Sequence, residues 1–299
     1  MKGSRSIVAA LLLWAAACGS GTFASRGEFD GETALGYVEA QLQFGPRVPN
    51  TEGHRRAGDW ILEQLRARAD TVVVQEFTHV TVEGDTLHLR NFIGSFRPEL
   101  KDRILYVAHW DTRPTADNDH PDRRNRPIPG ANDGASGVAL LLGVADALKR
   151  KPPAVGVDLL FVDGEDYGDF SLDKDVLIGS RYYASRITPD RLPLFAVVWD
   201  MVGDRDLAIL QEGHSVRRAP EVVERVWSKA RELGYERFFR PTVGGAITDD
   251  HLPLLEAGIR AIDVIDIDYE YWHTTEDTID KVSARSLKIV GDVAVALLR

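Results

Sequence analysis

A single cysteine, Cys18, stands in this chain of 299 residues, which excludes an intramolecular disulfide. Basic charge is also scarce: 36 Lys and Arg face 46 Asp and Glu, a formal net charge of -10. The only dense basic stretch, Arg123-Arg124-Asn125-Arg126, lies among acids, so the basic surface that phosphate contacts need is missing and nucleic acid is excluded as a partner. The leading apolar run, Ile7 to Ala17, is too short to cross a bilayer as a helix. No internal repeat or low-complexity tract interrupts the chain, and 44% hydrophobic residues suffice for one substantial core.

What is present first is an address. Lys2 and Arg5 precede the apolar run, Ala15-Ala16-Ala17 closes it, and Cys18 follows directly. The stretch resembles a bacterial lipoprotein signal, in which the cysteine is acylated and becomes the new N-terminus, although Ala15 stands where Leu is usual. Cleavage of a plain signal at an A-x-A site is the other reading. The expected organisation is a signal peptide over 1–17, a lipidated N-terminus and flexible tether over 18–30, and one catalytic domain over 31–299. Such a protein is an exported lipoprotein on the periplasmic side of the envelope, a monomer that meets the membrane only through its anchor.

Beyond the tether, helical and strand patterns alternate. Ala34, Tyr37, Val38 and Leu42 predict a helix stopped by Gly45-Pro46, and a second helix runs from about Thr51 through Trp60, Leu62 and Leu65. Strands are expected over 71–80 and 86–96 around Gly84-Asp85, then at 103–109, 157–162, 194–199, 207–210 and 261–267. Helices are expected at 134–149, 220–233, 250–257 and 283–298. The fold class is a three-layer α/β/α sandwich with a mixed, largely parallel central sheet. A polar loop from Arg113 to Gly130 with four prolines joins two acidic motifs and is expected to rim the site.

Those motifs come in a fixed order: His109-Trp-Asp111, Asn132-Asp133, Gly164-Glu165-Asp166, Trp199-Asp200, Thr248-Asp249-Asp250-His251 and Trp272-His273. Most follow a strand-like run, and in open α/β sheets the crevice beyond the carboxyl ends of strands gathers residues remote along the chain. Imidazoles and several carboxylates converging there are donors that zinc accepts. Asp133 stands among glycines and serves as a ligand or as a helix cap. Glu165 and Asp166 follow the apolar run Leu-Leu-Phe-Val closely. One suits a metal, and the other, in a partly apolar pocket, suits proton transfer; Asp166 is assigned to zinc and Glu165 to acid/base work. His109 and Asp111 are less decisive, since an aspartate two residues on can simply orient the histidine. His54, His79, His88, His120 and His214 fall in no such motif and are expected to be structural or surface residues.

The ordered set GANDGASG, FVDGED, GSR, WDMVGD, GGAITDDHLPLLEAG and YWHTTEDT resembles metallopeptidase family 28, the zinc-exopeptidase-like fold, and within it the animal-type glutaminyl-peptide cyclotransferases and their bacterial relatives. The resemblance spans nearly the whole mature chain. It implies a zinc held by Asp133, Asp166 and His273, proton transfer by Glu165, and a carboxylate pair, Asp200 and Asp249, hydrogen-bonded around it. Trp272, Thr248 and Phe170 are implied at the substrate. Thr248 stands where the animal cyclases have Gln, Phe170 lies one position from their tryptophan, and Asp166 replaces their more usual Glu. Trp110, Trp199 and Tyr269 are read either as aromatics that exclude water from the site or as core.

The implied reaction converts the N-terminal glutamine of a peptide to pyroglutamate with release of ammonia. The aminopeptidase branch is the alternative: two zinc ions share Asp133, His109 and Asp200 complete the second site, and Glu165 activates water to cleave N-terminal residues. An acid beside Asp200 favours one zinc, because Asp249 can share a proton with it. A lipid-anchored binding module without catalysis is the third reading, against which stands the completeness of the site.

Overall fold

The computed structural model describes residues 28–299, so the signal, Cys18 and most of the expected tether lie outside the described residues. Helices α1 (Gly31–Leu42) and α2 (Glu52–Arg66) open the fold. The Asp30 carboxylate accepts the backbone N–H groups of Glu32 and Thr33 at the start of α1, and the Thr51 hydroxyl accepts that of His54 at the start of α2. Ala57, Ile61 and Leu65, spaced four apart along α2, are fully buried.

Strands β1 (Thr71–Val80) and β2 (Thr86–Phe96) form a hairpin, followed by β3 (Arg103–His109), α3 (Ala135–Arg150) and β4 (Gly156–Val162). Next come α4 (Ile178–Ala184), β5 (Phe195–Asp200), β6 (Ile209–Gln211), α5 (Gly213–Arg218) and α6 (Pro220–Glu232). The chain ends with β7 (Phe239–Val243), α7 (His251–Glu256), β8 (Ala261–Ile265) and α8 (Ala284–Ala296).

Six strands build the main sheet in the order β1-β2-β4-β3-β5-β8, parallel from β4 to β8 and antiparallel at the β1-β2 edge. Because alternate side chains point to opposite faces, Ile104, Tyr106 and Ala108 of β3 enter the core shared with α1, α3 and α8, whereas Leu105 and Val107 enter the one shared with α7. Both faces are therefore covered, which is why β3, β4 and β5 read as continuous apolar runs. The expected sandwich is the observed fold.

Register delivers the motifs to one edge. Tyr106 lies opposite Leu159 and Val197, His109 opposite Val162, and Asp200 opposite Ile265. The chain passes from β3 to β4 on one side and to β5 on the other, so the crevice at these carboxyl ends is a switch point where ligands bind.

Glu212 braces one wall of that crevice. Its carboxylate accepts the N–H groups of His214 and Ser215 at 2.6 Å, the Ser215 hydroxyl at 2.7 Å and the Ile247 N–H at 3.0 Å, next to Thr248. Burial opposes ionisation, yet the His251 ring 3.2 Å away and hydrogen bonds from His214 and Ser215 hold this carboxyl down to about 2, against an ordinary 4.5. A depressed folded-state pKa contributes stability that is present above the unfolded value and lost as pH falls toward the folded one. We therefore expect Glu212→Gln to remove on the order of 3 kcal/mol of pH-dependent stability across that window. Urea melts of both proteins between about pH 5 and pH 2.5 check this; parallel stability curves would refute it.

Candidate metal centre

Three buried groups from distant parts of the chain meet at the crevice. Asp133, Asp166 and His273 each offer one ligand atom, all within 4.8 Å of one another, and each residue is at most 5% exposed. His273 Nε2 lies 3.3 Å from Asp166 Oδ1 and 3.7 Å from Asp133 Oδ2. A second group with the same spacing, His109, Asp133 and Asp200, shares Asp133 with the first. His109 Nε2 stands 3.2 Å from Asp133 Oδ1 and 3.1 Å from Asp200 Oδ1.

The donor set fits zinc. Nitrogen from imidazole and oxygen from carboxylates are its usual partners, and the buried Asp133 Oδ2 and Asp166 Oδ2 have no hydrogen-bond partner among the described residues. A buried polar oxygen left unpaired is costly, and a cation between these two removes that cost.

Local structure explains how each ligand is aimed. The backbone N–H groups of Asn132 and Asp133 donate to Asp277 at 2.9 and 3.1 Å, and Tyr269 O–H donates to the same carboxylate at 2.7 Å. Asp133 does not cap α3, whose N-cap, Gly134, makes no side-chain bond. A Cβ at Gly134 would come 2.5 Å from the His109 ring, so only glycine lets this turn approach the histidine. Asp111 accepts the N–H groups of Glu165 and Asp166 at 3.1 and 3.2 Å. Its carboxylate stays 3.8 Å from His109 Nδ1, so its main contacts are with the turn that carries Glu165 and Asp166 rather than with the histidine. Arg113 donates to Asp166 Oδ1 at 2.9 Å and places its guanidinium over the Phe170 ring. His273 adopts a left-handed backbone with φ 54°, an uncommon state for a residue with a side chain.

Glu165 lies beside the donors and is 6% exposed. Burial first, then the like charges of Asp166 and Asp249, push its carboxyl well above the ordinary range, against the attraction of His109. Asp249 is likewise pushed up, by burial and by the charge of Asp200. Asp277, which neither composition nor spacing singles out, is raised to about 7 by burial and by Asp133. Its one sequence signal is its place four residues after His273.

A cavity of about 270 Å³ opens over these groups, lined by Glu165, Asp200, Asp249, Thr248, Phe170 and Trp272 among others. Trp272 packs against His273 with ring centres 4.1 Å apart. Thr248, Phe170 and Trp272 thus line one cavity with Glu165, Asp200 and Asp249. For Trp110 and Trp199, read either as aromatics at the site or as core, the core reading holds. Both are fully buried in the core, Trp110 stacked on His54 and Trp199 edge-on to Tyr106, and neither lines the cavity. Tyr269 lies behind the site, donating to Asp277 and packing with Met201 and Ile265 of the cavity wall. His54 bonds Asp163 at 2.8 Å and is structural.

Known proteins share this architecture. A glutaminyl cyclase from Bacteroides thetaiotaomicron is 38% identical, with 90% of this chain and 97% of that one covered and a TM-score of 0.87. A Zn-dependent exopeptidase from Parabacteroides distasonis is 37% identical over 92% of this chain and 100% of its own, also with a TM-score of 0.87. The glutaminyl-peptide cyclotransferase of Bos taurus is 27% identical over 83% of this chain and 77% of its own length. The description of Peptidase family M28 matches residues 91–298, and the chain belongs to that family.

Proposed function

We propose that this chain is a zinc-dependent glutaminyl-peptide cyclotransferase that binds one zinc through Asp133, Asp166 and His273. The observation that carries the reading is the pair Asp200 and Asp249 on the cavity wall. Burial and the charge of Asp200 push the Asp249 carboxyl up, and a proton held there and turned toward Asp200 would withhold Asp200 from a second cation. The likeness to bacterial and animal glutaminyl cyclases supports the same reading.

The size of the cavity supports the substrate class. At about 270 Å³ it lies below the usual range for small-molecule pockets and suits one terminal side chain of a peptide whose remainder leaves through the mouth. Trp272 and Phe170 flank His273 and exclude water from the reacting groups. Zinc, when bound, supplies Lewis-acid polarisation of the carbonyl under attack. The α-amine of the N-terminal glutamine bonds to the γ-carboxamide carbon of the same residue, the bond to the amide nitrogen breaks, and ammonia leaves without consuming water. Glu165 takes the proton that the amine sheds and returns it to the departing nitrogen. A carboxyl that burial pushes above its ordinary range can hold that proton and give it back.

The second donor group, His109, Asp133 and Asp200, favours a different reading, a di-zinc aminopeptidase. One assay separates them. Zinc-loaded protein is incubated with glutaminyl and leucyl peptide amides, and ammonia is measured apart from free amino acid. Pyroglutamate with ammonia and no leucine is the expected result; free leucine with two zinc ions per chain would overturn it. Cys18 is proposed as the lipid attachment point of an exported protein, facing the periplasm.

A further inference from the structure

The end of the domain opposite the metal centre carries a second feature. Residue 28, the first described, is tied to the base of the fold: Glu28 Oε2 accepts Arg299 at 2.6 Å, Oε1 accepts Lys151 at 2.9 Å, and its carbonyl accepts Arg150 at 2.9 Å. Phe29 then drops between α3 and α8, where a Cβ at Gly143 or Gly291 would meet its ring at 2.5 or 2.2 Å. From there α1 climbs toward the site, where Gln41 bonds the Ala135 carbonyl at 3.0 Å. The chain thus enters at the N-terminal ends of the parallel strands, and β3, of 7 residues, separates that level from His109 by roughly 20 Å.

Beside the entry lies a groove of about 350 Å³ with an apolar floor that includes Ile104, Leu194, Phe195 and Leu297. Arg225, Arg260 and the same Arg299 stand on its rim. Arg260 pairs with Glu221, whereas Arg225 lies over the Phe195 ring at 5.3 Å. Leu192 and Leu194, 38% and 50% exposed, project nearby. Arg299 is held by Glu28, so Arg225 is the rim arginine without an ion pair among the described residues, and an apolar floor beside it matches an interface of acyl chains beneath anionic headgroups.

We propose that this base is the face the protein lays on an anionic phospholipid bilayer, with Leu192 and Leu194 at the surface and the catalytic crevice turned away. The inference rests on the Cys18 anchor proposed above. Nine residues lie between Cys18 and Glu28, and so short a stretch reaches at most roughly 36 Å, which keeps the base, where the chain enters the fold, close to the membrane. A site facing away from the lipid accepts soluble peptide ends directly.

The test uses the chain beginning at Cys18, coupled through that thiol to maleimide-phosphatidylethanolamine in phosphatidylcholine vesicles containing phosphatidylglycerol. An azide-bearing residue replaces Leu194 on the base or the exposed Asp122 on the crevice side, and its dye reports energy transfer to a headgroup acceptor. Transfer is expected to be several-fold stronger from 194 than from 122. It should weaken when phosphatidylglycerol is omitted, and again in the R225Q/R260Q double variant, by up to about fivefold per arginine. Equal transfer from both positions, transfer indifferent to anionic lipid, or dye-to-dye transfer between copies through position 194 overturns the proposal. Chemical coupling holds the tether whether or not cells acylate Cys18. The mass of the cysteine-bearing peptide from bacterial membranes therefore judges the anchor separately.

Discussion

Replacing Glu165 by Gln lowers pyroglutamate formation by about 100- to 10,000-fold, while zinc content and peptide affinity stay at the wild-type level. Glutamine keeps the shape of the side chain, which is 6% exposed, but cannot carry a proton between the attacking amine and leaving ammonia. Packing is preserved and a buried carboxyl whose ionisation burial opposes is replaced by a neutral amide, so the variant should be no less stable than its parent. Thermal melts of the zinc-free proteins separate loss of chemistry from loss of fold. Wild-type turnover in the Gln variant would remove Glu165 from the reaction.

The second large effect concerns the metal. Asp133→Ala is expected to weaken zinc binding by more than about 100-fold, the upper range for partners that merely support a ligand. His109→Ala is expected to leave one zinc bound. The contrast follows from geometry: Asp133 belongs to both donor groups, and His109 only to the one that includes Asp200. Competition titration with a chromophoric chelator, together with metal analysis, reads both variants. Undiminished zinc affinity after Asp133→Ala contradicts the assignment, and loss of all zinc after His109→Ala moves the ion to the other group.

Much of this was legible in the sequence, and the reasons are physical. Strands β3, β4 and β5 are buried on both faces and so write unbroken apolar runs, while the acids that follow them mark the crevice. Short elements held by tertiary contact left weaker traces. Helix α4 starts after Leu177 in a left-handed conformation with no side-chain cap, and α5 is capped by Glu212 rather than by the usual short polar residues. Strand β7 contains Pro241 and is mostly exposed, which hides its pairing with β6. Strand β8 ends at Ile265, two residues before the apolar pattern does, because Asp266 turns to accept the Ala208 N–H at 2.7 Å.

The same division holds in the site. Asp133, Asp166, Glu165 and His273 sit in recognisable motifs, whereas the groups that aim them act across long gaps in sequence. Arg113 reaches Asp166 over 53 positions and Asp277 reaches the Asp133 amide over 144, contacts that local patterns do not encode. Trp110 and Trp199 show the converse: adjacency to a ligand motif reflects strand alternation, which turns one residue to the crevice and its neighbour into the core.

The most direct test is anomalous diffraction at the zinc edge from crystals of the zinc-loaded protein. The account predicts one strong peak within coordination distance of Asp133, Asp166 and His273, with Glu165 alongside. A peak held instead by His109 and Asp200, or none between those three residues, would contradict it.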